Sequence, residues 1–211
     1  MKAIILLLLA LPILAVADCP DLYPNNTPIP VKNTVELCNS FYVSVYDVHN
    51  KAVIYTSERL RKGSPVGSAD RVDSFRSDPR IGRIPSRNQY VNTGFDRGHM
   101  TPADDASDFE EMEETFWLTN ITPQSPKLNR GEWKRLETII RTMYQKSKTD
   151  VYVVTVAEYK SDEKVNGIPV PTGYWKFVFI DGKSSAFYAE NKDTAKVVKR
   201  TGVSFKTVIQ K

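Results

Sequence analysis

The sequence predicts a fold of the α+β class, in which strands and helices occupy separate stretches of the chain. Apolar and polar residues alternate over residues 41–48, as in a strand with one buried face. Residues 151–157 form an almost continuous apolar run, typical of a strand buried on both faces. Between these two segments, residues 130–146 repeat apolar side chains at helical spacing and give the clearest helix. Several strands with few helices set between them indicate α+β.

The N-terminal half begins irregularly and then forms a predicted hairpin. Residues 20–33 are rich in Pro and Asn, which favours irregular structure. We expect residues 51–56 to pair with residues 41–48 across a turn at His49 and Asn50. Residues 57–94 hold many Gly, Pro, Ser, Arg and Asp, and long loops of this kind inside a compact domain are usually functional.

The C-terminal half carries the helices and a second hairpin. The spacing from Ser107 to Glu110 is that of a capping box, so a short acidic helix is predicted there. Residues 174–180 and 184–189 flank Asp181-Gly182, a strong signal for a two-residue hairpin turn. The buried stripe of the long helix is predicted to consist of Leu136, Ile139, Ile140 and Met143.

Residues 1–17 are typical of a secretory signal peptide. One Lys precedes an apolar run over residues 3–14, and Ala15-Val16-Ala17 has the small-x-small pattern of a cleavage site. The alternative is an uncleaved N-terminal anchor, which the shortness of the run and Pro12 disfavour. We therefore expect a secreted or periplasmic protein with no membrane span, and a single domain over residues 18–211.

Composition excludes several kinds of site. The 211 residues contain two Cys and two His, which excludes a multi-cysteine zinc module and any site of three histidines. In an oxidising compartment Cys19 and Cys38 are expected to form a disulfide; a catalytic thiol at Cys38 is the alternative, although no His lies near it in sequence. The formal net charge of +4 permits a polyanionic partner without requiring one.

A histidine and one flank of the long helix carry the candidate chemistry. His99 follows Asp96-Arg97-Gly98 and could act as a general base near neutral pH; a structural histidine in a loop is the alternative. An amide, a carboxylate and several cations share one arc of the helix, and they suit a hard divalent cation such as magnesium. The alternative is a solvated face with one ion pair between Glu137 and Arg141. The residues of the arc are Asn129, Arg130, Trp133, Lys134, Glu137 and Arg141.

Three separate blocks resemble the DNA/RNA non-specific endonuclease family, the relatives of the Serratia nuclease with a ββα-metal site. The blocks are DRGH at residues 96–99, TNITPQ at residues 119–124, and Asn, Trp and Glu spaced by four over residues 129–137. The resemblance extends over about residues 40–205. It implies a central antiparallel sheet flanked by helices, with the site between a strand that carries His99 and the helix that carries Asn129.

The resemblance also implies a role for each matching residue. His99 would be the general base, Asn129 the direct protein ligand of one Mg²⁺, and Glu137 the residue that holds metal-bound water. Arg97 and Arg141 would face the phosphate, and Asn120 would organise the site around His99. Arg130 joins the cations on the same helix flank. An arginine of the upstream loop would also reach the substrate, and among Arg71, Arg76 and Arg80 we expect Arg76.

The function expected from these residues is a secreted, magnesium-dependent endonuclease, with Mn²⁺ as an alternative ion. It would cleave both DNA and RNA with little sequence selectivity and leave 5′-phosphate ends, since phosphate contacts carry no sequence information. Two other functions stay open at this point: an inactive relative that only binds nucleic acid or protein, and a phosphodiesterase for small esters.

Overall fold

One large antiparallel sheet organises the molecule. The computed structural model describes residues 19–82 and 85–210, so the predicted signal peptide lies outside the described residues and stays a prediction. Seven strands pair in the order β1-β2-β3-β6-β9-β10-β11, and every neighbouring pair is antiparallel. The strands are β1 Val35–Cys38, β2 Tyr42–Asp47, β3 Ala52–Leu60, β6 Val151–Glu158, β9 Gly173–Ile180, β10 Lys183–Glu190 and β11 Val198–Arg200.

Within the described residues, two small ribbons, three α-helices and several short 3₁₀ helices accompany the sheet. Strand β4 (Asp96–His99) pairs with β5 (Ile121–Gln124), and β7 (Lys164–Val165) pairs with β8 (Ile168–Pro169). The helices are α1 Phe109–Thr115, α2 Lys134–Lys146 and α3 Phe205–Ile209, and a π-helical turn, Leu128–Trp133, leads directly into α2. The predicted α+β class and its antiparallel sheet are thus confirmed.

The alternation of side chains along β6 explains why the sheet is covered on both faces. Val151 and Val153 belong to the core that packs against α2, where Leu136 and Ile140 are buried. Val154 and Val156 belong to a second core on the opposite face, covered by the N-terminal segment and α3. A strand whose successive residues point to opposite faces must be apolar throughout to fill two cores.

The predicted elements differ from the structure in their limits. Strand β3 extends to Leu60, four residues beyond the predicted end, so the irregular stretch begins later than expected. In α2, Ile139 is 47% exposed, contrary to the predicted buried stripe, because the sheet contacts a single line of residues: Leu136, Ile140 and Tyr144. The hairpin between β9 and β10 is confirmed, and its turn places Asp181 and Gly182 at positive φ, a conformation these residues tolerate.

The predicted disulfide is present between Cys19 and Cys38. It joins the first described residue to the last residue of β1, with 6.0 Å between the Cα atoms. Directly after Cys19, Leu22 and Tyr23 insert into the second core. The bridge therefore anchors the segment that covers one face of the sheet. No helix within the described ranges is long and apolar enough to cross a membrane.

Replacing both cysteines by serine should lower the free energy of unfolding by about 3 kcal/mol, since the bridge closes a loop with a sequence separation of 19. Urea unfolding of Cys19→Ser/Cys38→Ser against the parent measures the difference. The parent unfolded with reductant is the matched control and should show the same loss. An unchanged midpoint in both samples would contradict the stabilising role.

Candidate active site

Strands β4 and β5 and the helical segment after them enclose one polar pocket. The chain turns from β5 into the π-helical turn within a few residues, so the two strands and the helix are neighbours by connectivity. The pocket has a volume of about 350 Å³. Of the predicted site residues, the lining contains Arg97, His99, Asn129, Arg130 and Glu137. The other lining residues are Arg71, Pro102, Ala103, Asp104 and Lys134.

A close approach between β4 and β5 explains the glycine beside His99. A Cβ atom added to Gly98 would lie 2.3 Å from Oε1 and 2.5 Å from Cβ of Gln124, a distance that real side chains do not adopt. Gln124 is itself buried. Only glycine lets β4 lie this close to β5, and the approach fixes the residues on either side, Arg97 and His99.

His99 is enclosed by aromatic rings. The ring of Phe116 stands perpendicular to the imidazole at 4.9 Å between centroids, and the Phe75 ring lies at 5.5 Å. Burial lowers the pKa of His99 to about 3, and the positive charges of Arg71 and Arg97 add to the effect. His99 is therefore neutral at pH 7. Its Nε2 atom is buried and has no hydrogen-bond partner among the described residues.

Asn120 fixes the chain immediately after His99. It is fully buried, and its side chain accepts a hydrogen bond from the Thr101 amide and donates to the Thr101 carbonyl, both at 2.9 Å. A further donation reaches the carbonyl of Thr115 at 2.9 Å. Asn120 does not line the pocket. It holds the backbone of Thr101, two residues after His99; the organising role expected from the sequence stays a prediction.

Asp96 orients the amide of Asn129. The Nδ2 atom of Asn129 donates to Oδ2 of Asp96 at 2.9 Å, which leaves its carbonyl oxygen without a hydrogen bond to the described residues. Arg130 donates to the same carboxylate at 2.8 and 2.5 Å. Burial opposes ionisation of Asp96, but the hydrogen bonds from Arg130 and Asn129 outweigh it, and the pKa lies below its usual range. Asp96 opens the DRGH block, but no role for it was predicted from the sequence.

Glu137 lines the floor of the pocket and pairs with a lysine from the central sheet. Oε1 of Glu137 lies 3.4 Å from Nζ of Lys176, which replaces the predicted pairing with Arg141. The Glu137 side chain is 15% exposed. Burial raises the pKa of Glu137 to about 7, against the opposing charge of Lys176. Lys176 was missed because it lies far along the chain, in an apolar strand.

Two arginines of the pocket are well placed to meet an anion. The guanidinium of Arg97 lies 4.2 Å from the centroid of the Phe75 ring and makes no ion pair with a carboxylate in residues 19–82 or 85–210. Arg71 lies at the rim and makes exposed ion pairs with Asp73 at 3.1 Å and Asp104 at 3.4 Å. Exposed pairs of this kind are weak, so a phosphate can replace them.

Two predicted phosphate contacts lie elsewhere. Arg141 donates from Nε to Asp105 at 2.7 Å, and this pair is buried, with side chains 18% and 4% exposed. Arg76 lies over the ring of Trp117 at 4.1 Å and pairs with Glu113 at 3.0 Å. Neither arginine lines the pocket, contrary to the prediction. Of the upstream-loop arginines, Arg71 occupies the expected place.

The donor atoms of the pocket fit a hard divalent cation. Asn129 offers a carbonyl oxygen, whose orientation is set by the hydrogen bond from its Nδ2 to Asp96. Glu137 offers a carboxylate at the same pocket. Oxygen ligands are those that magnesium prefers, and magnesium keeps several waters. Among the described residues, Cys19, Glu36 and Cys38 form the one other cluster with metal-ligating atoms, and its cysteines are joined in the disulfide.

The fold is of the ββα-metal type, with a large antiparallel sheet beside a strand pair and a helix that share one pocket. The chain belongs to the DNA/RNA non-specific endonuclease family, whose model matches residues 20–209. The predicted family is therefore confirmed. A chain of the EndoG/EndoGI complex crystal structure has the same fold, with a TM-score of 0.73, 24% identity, and coverage of 86% of this chain and 85% of that chain.

Three curated relatives illustrate the similarity. The mitochondrial nuclease EXOG of Xenopus laevis is 39% identical over 52% of this chain and 32% of its own length. The mitochondrial endonuclease G of Homo sapiens is 31% identical over 66% of this chain and 52% of its own length. A nuclease of Syncephalastrum racemosum is 30% identical over 79% of this chain and 59% of its own length. The chain thus spans about a third to somewhat over half of the length of these relatives.

The relatives correct the predicted location. Residues 1–17 led to the expectation of a secreted or periplasmic protein, but EXOG from three vertebrates and human endonuclease G are mitochondrial nucleases. The predicted localisation is therefore wrong. The physical reason is that a short apolar run after a single Lys carries little information about the destination of a protein. A targeting signal depends on the residues that flank the run, and not on any contact in the folded protein.

Replacing Gly98 by Ala should destabilise the site and reduce any nuclease activity, because the new Cβ meets Gln124 at 2.3 Å. Overpacking of this kind costs about 1–3 kcal/mol. Gly82→Ala is the matched control, since a Cβ there has open space around it. Denaturant unfolding and a cleavage assay measure both variants. A Gly98→Ala protein as stable and active as Gly82→Ala would contradict the close approach.

Proposed function

We propose that the chain is a magnesium-dependent endonuclease that hydrolyses phosphodiester bonds of DNA and RNA and leaves 5′-phosphate ends. One observation carries the proposal: a neutral His99 and the carbonyl oxygen of Asn129 share a pocket with cationic side chains. The family description, DNA/RNA non-specific endonuclease, supports the substrate class. The nuclease names of the relatives support the reaction class. We propose the same single domain over residues 18–211 as the catalytic unit.

His99 supplies the base. Hydrolysis of a phosphodiester needs a water molecule to lose a proton as it attacks, and an imidazole that is neutral at pH 7 can take that proton. The enclosing rings of Phe75 and Phe116 restrict the orientation of the imidazole. Asn120, through Thr101, fixes the backbone that follows. The nucleophile is thus generated at a defined place in the pocket.

Arg97 and Arg71 stabilise the negative charge of the phosphate. Charge on the non-bridging oxygens grows in the transition state, and cations held in the pocket stabilise it. Arg97 is held against Phe75 and forms no ion pair in the described part of the chain. Arg130 and Lys134 extend the positive charge along the helix flank, although Arg130 is partly neutralised by Asp96.

Asn129 and Glu137 would hold the divalent ion, Asn129 directly and Glu137 through water. When bound, the ion supplies positive charge to the phosphate and to the departing oxygen. The role of this chain is to present the Asn129 carbonyl oxygen in one orientation, which Asp96 enforces. Departure of the 3′ oxygen would give the 5′-phosphate ends.

Broad substrate use follows from the kind of contact. The cationic residues of the pocket suit phosphate oxygens, which are the same at every base. The proposed chemistry needs no 2′-hydroxyl, so the sugar does not decide between DNA and RNA. The basic test incubates the protein and its His99→Ala variant with supercoiled plasmid and with RNA, with and without chelator. Cleavage of both substrates by the parent in magnesium alone supports the proposal, and cleavage by His99→Ala at the parent's rate would refute it.

Asn129→Ala should raise the magnesium concentration needed for half-maximal activity, because it removes the proposed direct ligand. Asp96→Asn should raise that concentration by about 10–100-fold. This effect should be smaller than that of Asn129→Ala, since it alters only the residue that orients the ligand. Cleavage rates over a magnesium titration measure both effects. Asn88→Ala, at an exposed position away from the pocket, is the control. A titration curve of Asn129→Ala that overlays the parent's would remove the ligand assignment.

Binding to duplex DNA should weaken steeply with salt, and Arg97→Met should reduce the slope of log K against log salt by about one unit. Arg71→Met should act similarly, because both arginines line the pocket. The titration uses a His99→Ala background to prevent cleavage. Arg135→Met, which removes an equal charge from the exposed outer face of α2, is the matched control and should leave the slope nearly unchanged. Equal slopes for Arg97→Met and Arg135→Met would show that the pocket does not bind the backbone.

A further inference from the structure

Lys176 is a fully buried lysine in the middle of the central sheet. It lies on β9 between two aromatic residues, and its relative exposure is 0%. A buried ammonium loses its hydration and is retained only where partners replace it. Such a residue in an otherwise apolar strand calls for an explanation beyond packing.

Three acceptors satisfy the three N–H groups of this ammonium. The Thr155 hydroxyl on the adjacent strand lies at 2.9 Å, the carbonyl of Met100 at 3.3 Å, and Oε1 of Glu137 at 3.4 Å. The ring of Trp133 lies 5.2 Å away as a fourth, weaker contact. The ammonium is therefore fully coordinated by the protein.

These contacts join the sheet to both halves of the proposed site. Met100 is the residue directly after His99, so its carbonyl belongs to the end of the strand that carries the base. Trp133 and Glu137 belong to the helical segment that carries Asn129. Lys176 thus contacts the strand side and the helix side of the pocket at once, from a rigid position within the sheet.

The contact with Glu137 leaves one carboxylate oxygen for the pocket. Oε1 is held by Lys176, whereas Oε2 makes no hydrogen bond or ion pair with residues of the described ranges. Glu137 lines the pocket. Fixing one oxygen determines where the other lies, in the way that outer partners orient metal-site residues.

We propose that Lys176 is a positioning residue of the nuclease site: anchored at the Met100 carbonyl, it fixes the carboxylate of Glu137. The inference rests on the proposed function, because the position of the Glu137 carboxylate matters for a divalent ion in the pocket. Lys176 touches neither substrate nor ion and acts through Glu137.

The test compares Lys176→Met, Glu137→Gln and the double variant with the parent, by Mn²⁺ binding in calorimetry and by kcat. Each single variant should lose about 10–100-fold in Mn²⁺ affinity and in kcat. The double variant should lose no more than about threefold beyond the worse single variant, since the two residues act as one unit. Arg59→Met, which breaks ion pairs with Asp21 and Asp150 far from the pocket, controls for lost stability and should keep its Mn²⁺ affinity.

Two results would overturn the proposal. One is a Lys176→Met protein within about twofold of the parent in both measurements; the other is a double variant whose losses multiply. If Lys176→Met alone does not fold, the double variant, in which both charges are removed, is compared with Glu137→Gln. Equal values support the proposal, and a further tenfold loss, or about 1.4 kcal/mol, overturns it. Failure of the parent to need a divalent ion would refute the proposed function instead, and the two failures are thus distinguishable.

Discussion

The site depends on the carboxylate of Asp96. It opens strand β4 and binds both Asn129 and Arg130 on the helical segment. Strand β4 is itself fixed by its ladder with β5 and by the close approach at Gly98. One carboxylate therefore joins the two strands to the helix and determines which atom of Asn129 is left for a ligand. Without it, the amide of Asn129 could turn either its nitrogen or its oxygen to the pocket.

The surroundings of His99 follow from the same arrangement. The loss of hydration and the charges of Arg71 and Arg97 all act against the imidazolium form of His99, the proposed base. The positive charge that would bind phosphate thus also keeps the base unprotonated. Beneath the pocket, Glu137 pairs with Lys176 and Arg141 pairs with Asp105, beside the buried carboxyl of Glu58. Breaking one partner of such a pair is costly, which makes this layer rigid.

The sequence predicted what local pattern determines and missed what distant contacts determine. The alternation of residues 41–48 and the apolar run of residues 151–157 gave strands β2 and β6, because burial on one or two faces leaves a direct periodic trace. The blocks around His99 and Asn129 gave the family, and the structure brings both residues to one pocket. The π-helical turn before α2 left no such trace, because Gly131 and its neighbours read as ordinary helix.

Charge pairing was the least predictable feature. Glu137 and Arg141 have the spacing of a helical ion pair, yet each pairs elsewhere: Glu137 with Lys176 from the sheet, and Arg141 with Asp105 from a short 3₁₀ helix. Burial decides the outcome, since a buried charge takes whichever partner the tertiary fold places beside it. For the same reason, local sequence could not distinguish Arg71 from Arg76, whose neighbours Trp117 and Glu113 hold it away from the pocket.

The central claim is that Asp96 presents the carbonyl oxygen of Asn129 to a divalent ion. Crystals of the protein soaked in Mn²⁺ and measured for anomalous scattering test it most directly. The account predicts one strong anomalous peak in the pocket, at about 2.0–2.2 Å from Oδ1 of Asn129, with the Asp96 contact to Nδ2 retained. A peak coordinated by other residues, or an Asn129 side chain turned with its nitrogen toward the ion, would contradict it.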